Sequence, residues 1–218
     1  MELYEVMRTT FGCREFTGDP VPDEVLYRII DNARFAPSGG NRQGWRIIHV
    51  TDSAIQEQLA DLSLPCSTRY LLQVQAGENP FNTIHPSSVT DEDVQAADPP
   101  HALVAHIRHA PTLLVVTVDL SLVASMDRDL DRVGVISGAS IYPLVWNILL
   151  AARNEGYGGV MTTWGAHEEP AIQQLLSIPG HWAVAAIVPL GKPKKQLTRL
   201  KRKPVEDILT ENTWEIGE

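Results

Sequence analysis

The run of residues 112–118, Thr-Leu-Leu-Val-Val-Thr-Val, constrains the fold of this chain more than any other feature. Every side chain in it is apolar or β-branched, which is typical of a strand that is covered on both of its faces. The chain must therefore supply packed layers on either side of this strand. Around it the apolar positions alternate between helical and strand spacing, so the sequence predicts an α/β or α+β domain.

The first half of the chain has clear helix and strand signals. A short helix is predicted over residues 3–9. An amphipathic helix begins near Pro22 and stops at Pro37, whose ring removes a backbone donor. Residues 45–50 have the pattern of a strand, and Asp52 is a favourable N-cap for the helix that follows. The inward residues of that helix are predicted to be Ile55, Leu59 and Leu62.

The second half predicts one long helix and two more strands. The helix covers residues 134–154, with Pro143 near its start or at a kink. A glycine-rich turn follows and leads into a strand over residues 160–164. Residues 183–190 supply the last core strand.

Length and composition indicate one domain over residues 1–218. The chain is 44% hydrophobic and contains no Pro/Gly/Ser-rich linker. Its net charge of −9 excludes a surface devoted to nucleic acid, because phosphate binding needs a concentrated basic field. No apolar run approaches the ~18 residues that a membrane helix needs, and the acidic first residues lack the apolar core of a signal peptide. We therefore expect a cytoplasmic protein.

Two segments are less regular than the rest. Residues from about 65 to 110 begin with weak periodicity and several prolines, and we expect short helices there and a lid or partner-covering role. A basic run over residues 192–203 is either a solvated tail or a phosphate contact. After it, residues from about 200 to 218 form a meandering tail.

Other groups of reactive residues lack the patterns that chemistry requires. His101, His106 and His109 have no cysteine or carboxylate partners for a zinc site, so surface histidines are expected. The alternating aspartates at 127, 129 and 131 lack the glycine and glutamate of a calcium loop and predict an acidic face before a helix. Ser38 has no nucleophile elbow. The two cysteines, Cys13 and Cys66, have neither metal nor redox spacing.

The segment 34–46 joins the amphipathic helix to the next strand through small and polar residues, Arg-Phe-Ala-Pro-Ser-Gly-Gly-Asn-Arg-Gln-Gly-Trp-Arg. Its Ser-Gly-Gly stretch places no bulky side chain between backbone amides and a ligand. Asn41 and Gln43 add amide donors and acceptors suited to a pyrimidine-like edge. The segment is either an ordinary surface connection or a loop that lies against a flat ligand.

The same string resembles the Ala-Pro-Ser-x-x-Asn-x-Gln-Pro-Trp signature of the nitroreductase family, flavoproteins that bind FMN at a dimer interface. Residues 14–22 resemble its Arg-x-Phe-x-x-x-Pro-Val-Pro segment. Residues 191–193 and 201–204 resemble its closing Gly-x-Pro and Arg-Lys-Pro. These matches span nearly the entire chain. Gly44 stands where the family has proline, and of the family's opening Arg-Arg-Ser-x-Arg only Arg14 is matched.

The resemblance implies an α+β, three-layer fold with a central, mostly antiparallel sheet flanked by helices. It also implies an intertwined homodimer in which the tail wraps the partner and both chains contribute to the FMN site. Arg14 and Arg202 would bind the FMN phosphate, assisted by Arg8, Thr10 and Lys201. The isoalloxazine ring would meet Pro37, Ser38, Gly39, Asn41 and Gln43 and, at its other edge, the backbone of Thr162 and Thr163.

The function implied is an FMN-dependent oxidoreductase that takes hydride from NADH or NADPH and reduces a nitroaromatic, a quinone or a similar flat acceptor. No catalytic side chain is expected, because the flavin supplies the chemistry. The chain lacks a Gly-x-Gly-x-x-Gly motif, so the nicotinamide would be a visiting substrate. The alternatives are a non-catalytic flavin-binding or storage protein and a specialised relative that dehalogenates, dehydrogenates or fragments the flavin.

Overall fold

The computed structural model describes residues 1–214 and builds the fold around a four-stranded antiparallel sheet. Strand β1 is Trp45–Val50, β2 is Thr112–Asp119, β3 is Gly158–Gly159 and β4 is Trp182–Gly191. The order across the sheet is β1-β2-β4-β3, so β2 is an inner strand. The prediction from its continuous apolar run is confirmed.

Helices cover both faces of the sheet. One layer contains α2 (Asp23–Ala33) and α7 (Tyr142–Asn154), with α1 (Leu3–Thr9) packed on α7. The other contains α3 (Ser53–Leu62), α6 (His101–Arg108) and α8 (Glu169–Leu176). Two further helices, α4 (Leu64–Gln75) and α5 (Asp91–Ala96), lie in the segment between α3 and α6. The α+β class with a flanked antiparallel sheet is confirmed.

The side chains of β2 alternate between two hydrophobic cores. Leu114 and Val116 pack with α2 and α7, whereas Leu113 and Val115 pack with α3, α6 and α8. All four are at most 1% exposed. Since full burial of a Val or Leu side chain contributes about 1.5–3 kcal/mol, this strand joins the two layers.

The N-terminal helix and the first strand form where the sequence predicts them. The predicted bounds of α1 and β1 are confirmed, and the Asp52 carboxylate caps α3 by accepting a hydrogen bond from the Ala54 N–H at 2.8 Å. Helix α2 ends at Ala33, earlier than the predicted stop at Pro37. Arg34 and Phe35 form a turn in which the Ala36 N–H donates to the Ala33 carbonyl at 3.0 Å, so Pro37 lies beyond the end of the helix.

Two predicted boundaries are wrong. The helix predicted over residues 134–154 begins only at Tyr142, because Pro143 has no N–H and fits the first helical turn, while Ile136–Ser140 form a 3₁₀ turn. The strand predicted over residues 160–164 is replaced by β3 and a single bridge from Thr162 to Ile187. Pro189 of β4 has no N–H to donate, so the ladder is interrupted between them.

The segment from 64 to 110 contains the predicted short helices and one longer helix, α4. The loop after α4 is closed by Gln73, whose Oε1 accepts from the Phe81 N–H at 3.1 Å and whose Nε2 donates to the Ser87 hydroxyl at 2.9 Å. Glu78 accepts hydrogen bonds from Ser87 and Ser88. These bonds run within the segment itself.

The tail passes along the N-terminal segment and then lies exposed. The Gln196 amide donates to the Thr9 carbonyl at 3.0 Å, and residues 201–214 are all exposed. The predicted exchange arm over residues 200–218 ends outside the described residues, and its role stays a prediction. Among residues 1–214, no helix has the length and apolar character that a membrane crossing requires.

A substitution at Gly159 should test the close packing of β3 on β4. A Cβ atom there would lie 2.5 Å from Leu190 Cδ2 and 2.6 Å from the Pro189 carbonyl oxygen. Backbone cannot move aside as a side-chain end can, so Gly159→Ala should lower the free energy of unfolding by about 1–3 kcal/mol in urea titrations. Gly180→Ala is the matched control, because a Cβ there meets nothing within 4 Å. Equal midpoints for both variants would contradict this packing.

Candidate functional site

The loop between α2 and β1 has an unusual backbone. Gly40, Asn41 and Gln43 have positive φ angles of 62°, 54° and 50°, a region that non-glycine residues seldom adopt. The Ser38 hydroxyl accepts a hydrogen bond from the Gln43 N–H at 3.0 Å and closes the loop. Such strain is typical of sites where a fixed backbone shape serves a ligand.

Ser140 holds this loop from across the fold. Its hydroxyl accepts from the Gly39 N–H at 2.9 Å, and its carbonyl accepts from the Trp45 indole N–H at 2.6 Å. Ser140 is 8% exposed. Sequence reasoning missed this residue, because its partner Gly39 is 101 positions away and no local pattern connects them.

Asn41 and Gln43 form an exposed amide pair at the tip of the loop. The Gln43 Nε2 group donates to the Asn41 carbonyl at 3.2 Å and to Asn41 Oδ1 at 3.1 Å. The bonds hold both side chains in a common orientation. Together they present amide donors and acceptors at the loop tip, and their contact with the polar edge of a planar ring stays a prediction. Pro37, at the start of the loop, is exposed beside them.

Three arginines line one cavity. Arg8 from α1 meets Arg199 and Arg202 from the tail around a cavity of about 360 Å³. Guanidinium groups carry fixed positive charge and bind phosphate through paired N–H donors. The structure brings the predicted Arg8 and Arg202 together. It adds Arg199, which sequence reasoning missed although the residue lies in the basic run over residues 192–203.

A second cationic cavity lies along the same contact between the N-terminal segment and the tail. Arg14 and Lys195 line about 290 Å³ there, next to Glu15 and Cys13. Lys201 lines neither cavity. The Thr10 hydroxyl is buried and donates to the Val6 carbonyl at 2.7 Å. The Thr10 hydroxyl proton is therefore already used in a hydrogen bond at the end of α1.

The Thr162–Thr163 segment lies at the opposite edge of the sheet from the loop. The N–H and C=O of Thr162 pair with Ile187 at 3.0 and 2.9 Å, whereas the Thr163 side chain is exposed. Gly12 bridges to Gly159 nearby, so Arg14 approaches this same edge. Arg14 and Thr163 thus share an edge beyond β4, and the backbone bonds of Thr162 are already taken.

The two groups of predicted site residues do not meet within one chain. The loop precedes β1, whereas Arg14 and Thr163 lie beyond β4 at the β3 edge. Three strand spacings of about 4.8 Å separate the edges by roughly 14 Å. The predicted site residues therefore lie in two groups at opposite edges of the sheet.

A family model described as the nitroreductase family matches residues 8–192. The chain belongs to the nitroreductase family. The matched range contains the predicted site residues from Arg8 to Thr163 and ends before Lys201 and Arg202.

Two relatives illustrate the range of names within the family. The chain is 27% identical over 208 residues to an iodotyrosine dehalogenase 1 homolog of Caenorhabditis elegans, covering 94% of this chain and only 60% of that protein's length. It is 26% identical over 196 residues to an NADH dehydrogenase of Thermus thermophilus, covering 90% of this chain and 89% of that protein.

Solved structures show the same fold. The NADPH:FMN oxidoreductase of Vibrio harveyi complexed with NAD⁺ has a TM-score of 0.71 and 21% identity, over 99% of this chain and 79% of that one. A BluB-like flavoprotein of Clostridium difficile 630 has a TM-score of 0.69 and 22% identity, over 98% and 100% of the two chains. At these identities the likeness establishes architecture and leaves substrate open.

Near the Thr163 edge of this nitroreductase fold lies a buried histidine. His106 is 5% exposed and its ring lies edge-on to that of Trp164, with centroids 5.7 Å apart. Its Nε2 atom is buried without a hydrogen-bond partner among the described residues. The expectation of surface histidines is wrong for this residue. In the described part of the chain, no cluster of His, Cys, Asp and Glu could hold a metal ion.

Asp127 is also buried, contrary to the predicted acidic face. Its carboxylate accepts hydrogen bonds from the Val135 N–H at 2.7 Å and from the Arg132 guanidinium at 2.7 Å. These bonds lower the pKa of the Asp127 carboxyl to about 2. The cysteines Cys13 and Cys66 are both buried free thiols, and burial raises the pKa of Cys66 to about 11.

His106 should make the protein less stable in mild acid. Burial, with a smaller effect of the Arg14 charge, lowers the pKa of His106 to about 4, so below pH 6.5 the unfolded chain binds a proton that the folded chain does not. Stability should then fall between about pH 6.5 and pH 4, by on the order of 2 kcal/mol at pH 5. Urea midpoints measured across this range should show a weaker fall for His106→Leu.

His101→Gln is the matched control for that experiment, because His101 begins the same helix and is exposed. It should keep the pH dependence of the unsubstituted protein. If His106→Leu kept it as well, carboxyl groups and not the buried imidazole would account for the loss.

Proposed function

We propose that this protein is an FMN-dependent oxidoreductase that takes hydride from NADH or NADPH and passes electrons to a nitroaromatic, a quinone or a similar flat acceptor. One observation carries the proposal. A chain of the nitroreductase family presents an arginine-lined cavity and, at the other edge of its sheet, a strained loop with an amide pair at its tip. The first suits a phosphate and the second suits a flat heterocycle.

The cationic cavities fit the FMN phosphate. Arg8, Arg199 and Arg202 would supply paired N–H donors to a dianion, and Arg14 would add a further charge from the adjacent cavity. Positive groups gathered on one contact of a chain with a net charge of −9 make this contact favourable for an anion. The phosphate of FMN supplies that charge.

The loop fits the polar edge of the ring. Asn41 and Gln43 would hydrogen-bond the pyrimidine portion, while Ser38 and Gly39 lie behind them without bulk. When bound, FMN supplies hydride acceptance and electron transfer to the second substrate. The chain's residues would hold the cofactor by its phosphate and by the polar edge of its ring.

A homodimer would join the two half-sites. The loop of one chain and the cationic edge of the other would then enclose a single FMN, as the separation across the sheet requires. Exposed apolar side chains are available for such an interface. They include Tyr4, Met7, Trp146, Ile208, Leu209 and Trp214, the last being 86% exposed. Burial of these side chains against a second chain would be favourable, because apolar surface would be removed from water.

Reductive dehalogenation is the second candidate. The C. elegans relative named as an iodotyrosine dehalogenase 1 homolog matches 94% of this chain. A halogenated phenol would occupy the same open face of the ring as a quinone. A bound flavin that is reduced by nicotinamide and reoxidised by a halophenol, with release of halide, would support this candidate over the first.

The phosphate assignment predicts a loss of FMN affinity in two variants. Arg14→Ala and Arg202→Ala should each weaken FMN binding by about 1.5–3 kcal/mol, because a hydrogen bond between charged groups is lost. Fluorescence titration of the apoprotein measures this. Arg28→Ala is the control, since Arg28 pairs with Glu155 at 2.8 Å outside both cationic cavities. Unchanged FMN affinity in both test variants would show that the phosphate does not bind at this site.

The reaction itself is tested by anaerobic mixing. NADH or NADPH should bleach the absorption of the FMN-loaded protein, and later addition of a quinone should restore it, in a species whose size corresponds to two chains. A storage protein would do neither. Absence of bleaching by both nicotinamides in a flavin-loaded dimer would exclude the reductase and favour the storage alternative.

A further inference from the structure

The cations along the contact between the N-terminal segment and the tail are not neutralised by carboxylates. Six arginines elsewhere in the described chain form ion pairs with acidic side chains. Five cations on this contact have no ion pair among residues 1–214: Arg8, Arg14, Lys195, Arg199 and Arg202. Unpaired positive charges on one surface favour the binding of anions.

These five cations line two different cavities. The arginine cavity is lined by residues 7 and 8 and by four tail residues between 198 and 202. The lysine cavity is lined by residues 11–15 and by tail residues 195 and 197. Between these sets of residues, the Gln196 amide donates a hydrogen bond to the Thr9 carbonyl at 3.0 Å. The cavities share no lining residue, so a single phosphate group can occupy only one of them.

The two cavities differ in charge. Three arginines line the arginine cavity, and none of its lining residues in the described chain is acidic. The lysine cavity contains Arg14 and Lys195 but also Glu15, which leaves it one net positive charge. Since a phosphate monoester carries a charge of about −2 at neutral pH, the arginine cavity suits a resident cofactor. The lysine cavity holds a phosphate more weakly, which suits a substrate that must leave after each turnover.

Apolar side chains border the cations of the lysine cavity. Phe11 and Leu197 line it together with Arg14 and Lys195, and Leu197 is 37% exposed. An aromatic ring and an aliphatic side chain can contact the flat base of a nucleotide, which inorganic phosphate lacks. The lining therefore favours a phosphate that is carried by a nucleoside.

We propose that the lysine cavity binds the 2′-phosphate of NADPH, so that this protein selects NADPH over NADH. The inference rests on the proposed reductase function and names its reductant. The 2′-phosphate is the group that NADPH has and NADH lacks, and arginine suits it through charge and paired N–H donors. Both cavities lie on one contact, which places this phosphate beside the cofactor that the nicotinamide reduces.

Substitutions with opposite expected effects test the lysine cavity without changing Arg14, which is also expected to contribute to FMN binding. Lys195→Ala should raise the KM for NADPH roughly fivefold to tenfold, because a positive charge beside the phosphate is lost. Glu15→Gln should lower that KM roughly twofold, because a like charge is removed. The KM for NADH and the FMN affinity should stay as they were in both variants. Lys194→Ala is the matched control, since Lys194 is exposed and lines neither cavity.

Calorimetric titration of the FMN-loaded protein provides a readout that needs no turnover. Adenosine 2′,5′-bisphosphate should bind, and Lys195→Ala should weaken its binding by the same factor as it raises the KM for NADPH. Adenosine 5′-monophosphate and inorganic phosphate should each bind at least roughly tenfold more weakly, because neither carries both the 2′-phosphate and the base. Equal affinity for inorganic phosphate would make the cavity a general anion site and overturn the proposal.

The remaining outcomes separate the proposal from the reductase function. Weaker FMN binding in Lys195→Ala would assign the cavity to the cofactor and overturn the proposal. Equal rises in the KM values for NADPH and NADH would assign it to the diphosphate that both share, and unchanged KM values would give it no role in either. Absence of bleaching by both nicotinamides, with binding of the bisphosphate intact, would refute the reductase function alone.

Discussion

Burial of β2 on both faces is the constraint on which the rest of the structure depends. Because successive side chains of this strand enter opposite cores, α2 with α7 and α3 with α6 must lie on opposite sides of one sheet. The strand order then places β1 at one edge and β3 at the other. The loop before β1 and the cationic contact near β3 are thus kept apart in a single chain.

That separation accounts for the form of the site. The loop is shaped by Ser38 and Ser140, and the cationic side by the passage of the tail along α1 and the residues that follow it. Neither half holds all the groups that a flavin nucleotide needs. Under the proposed function, a second copy of the chain would bring the loop and the cationic contact together, which is why the reductase proposal requires a dimer.

Local chemistry explains which predictions were confirmed. The cap at Asp52, the proline at position 143 in a first turn and the continuous apolar run of β4 depend on residues close in sequence, and each is present in the structure. The predicted start of α7 was wrong because Pro143 fits the first helical turn, and the predicted strand after Gly159 was wrong because it depends on a partner strand elsewhere in the chain. Pro189 interrupts the ladder from across the sheet. The hydrogen bond from the Val135 N–H to the Asp127 carboxylate likewise forms only when the loop between these residues is folded.

By itself, the sequence determined the α+β class, the inner position of β2, the loop with its polar tip and the resemblance to the nitroreductase family. It also singled out Arg8 and Arg202, which line one cavity in the structure. Only the tertiary structure decided that Arg199 joins Arg8 and Arg202, that Ser140 anchors Gly39, and that the Asp119 N–H donates to the Gly44 carbonyl. The physical reason is that periodicity and caps act within a few residues. Cavities and hydrogen bonds between distant segments exist only once the sheet has brought those segments together.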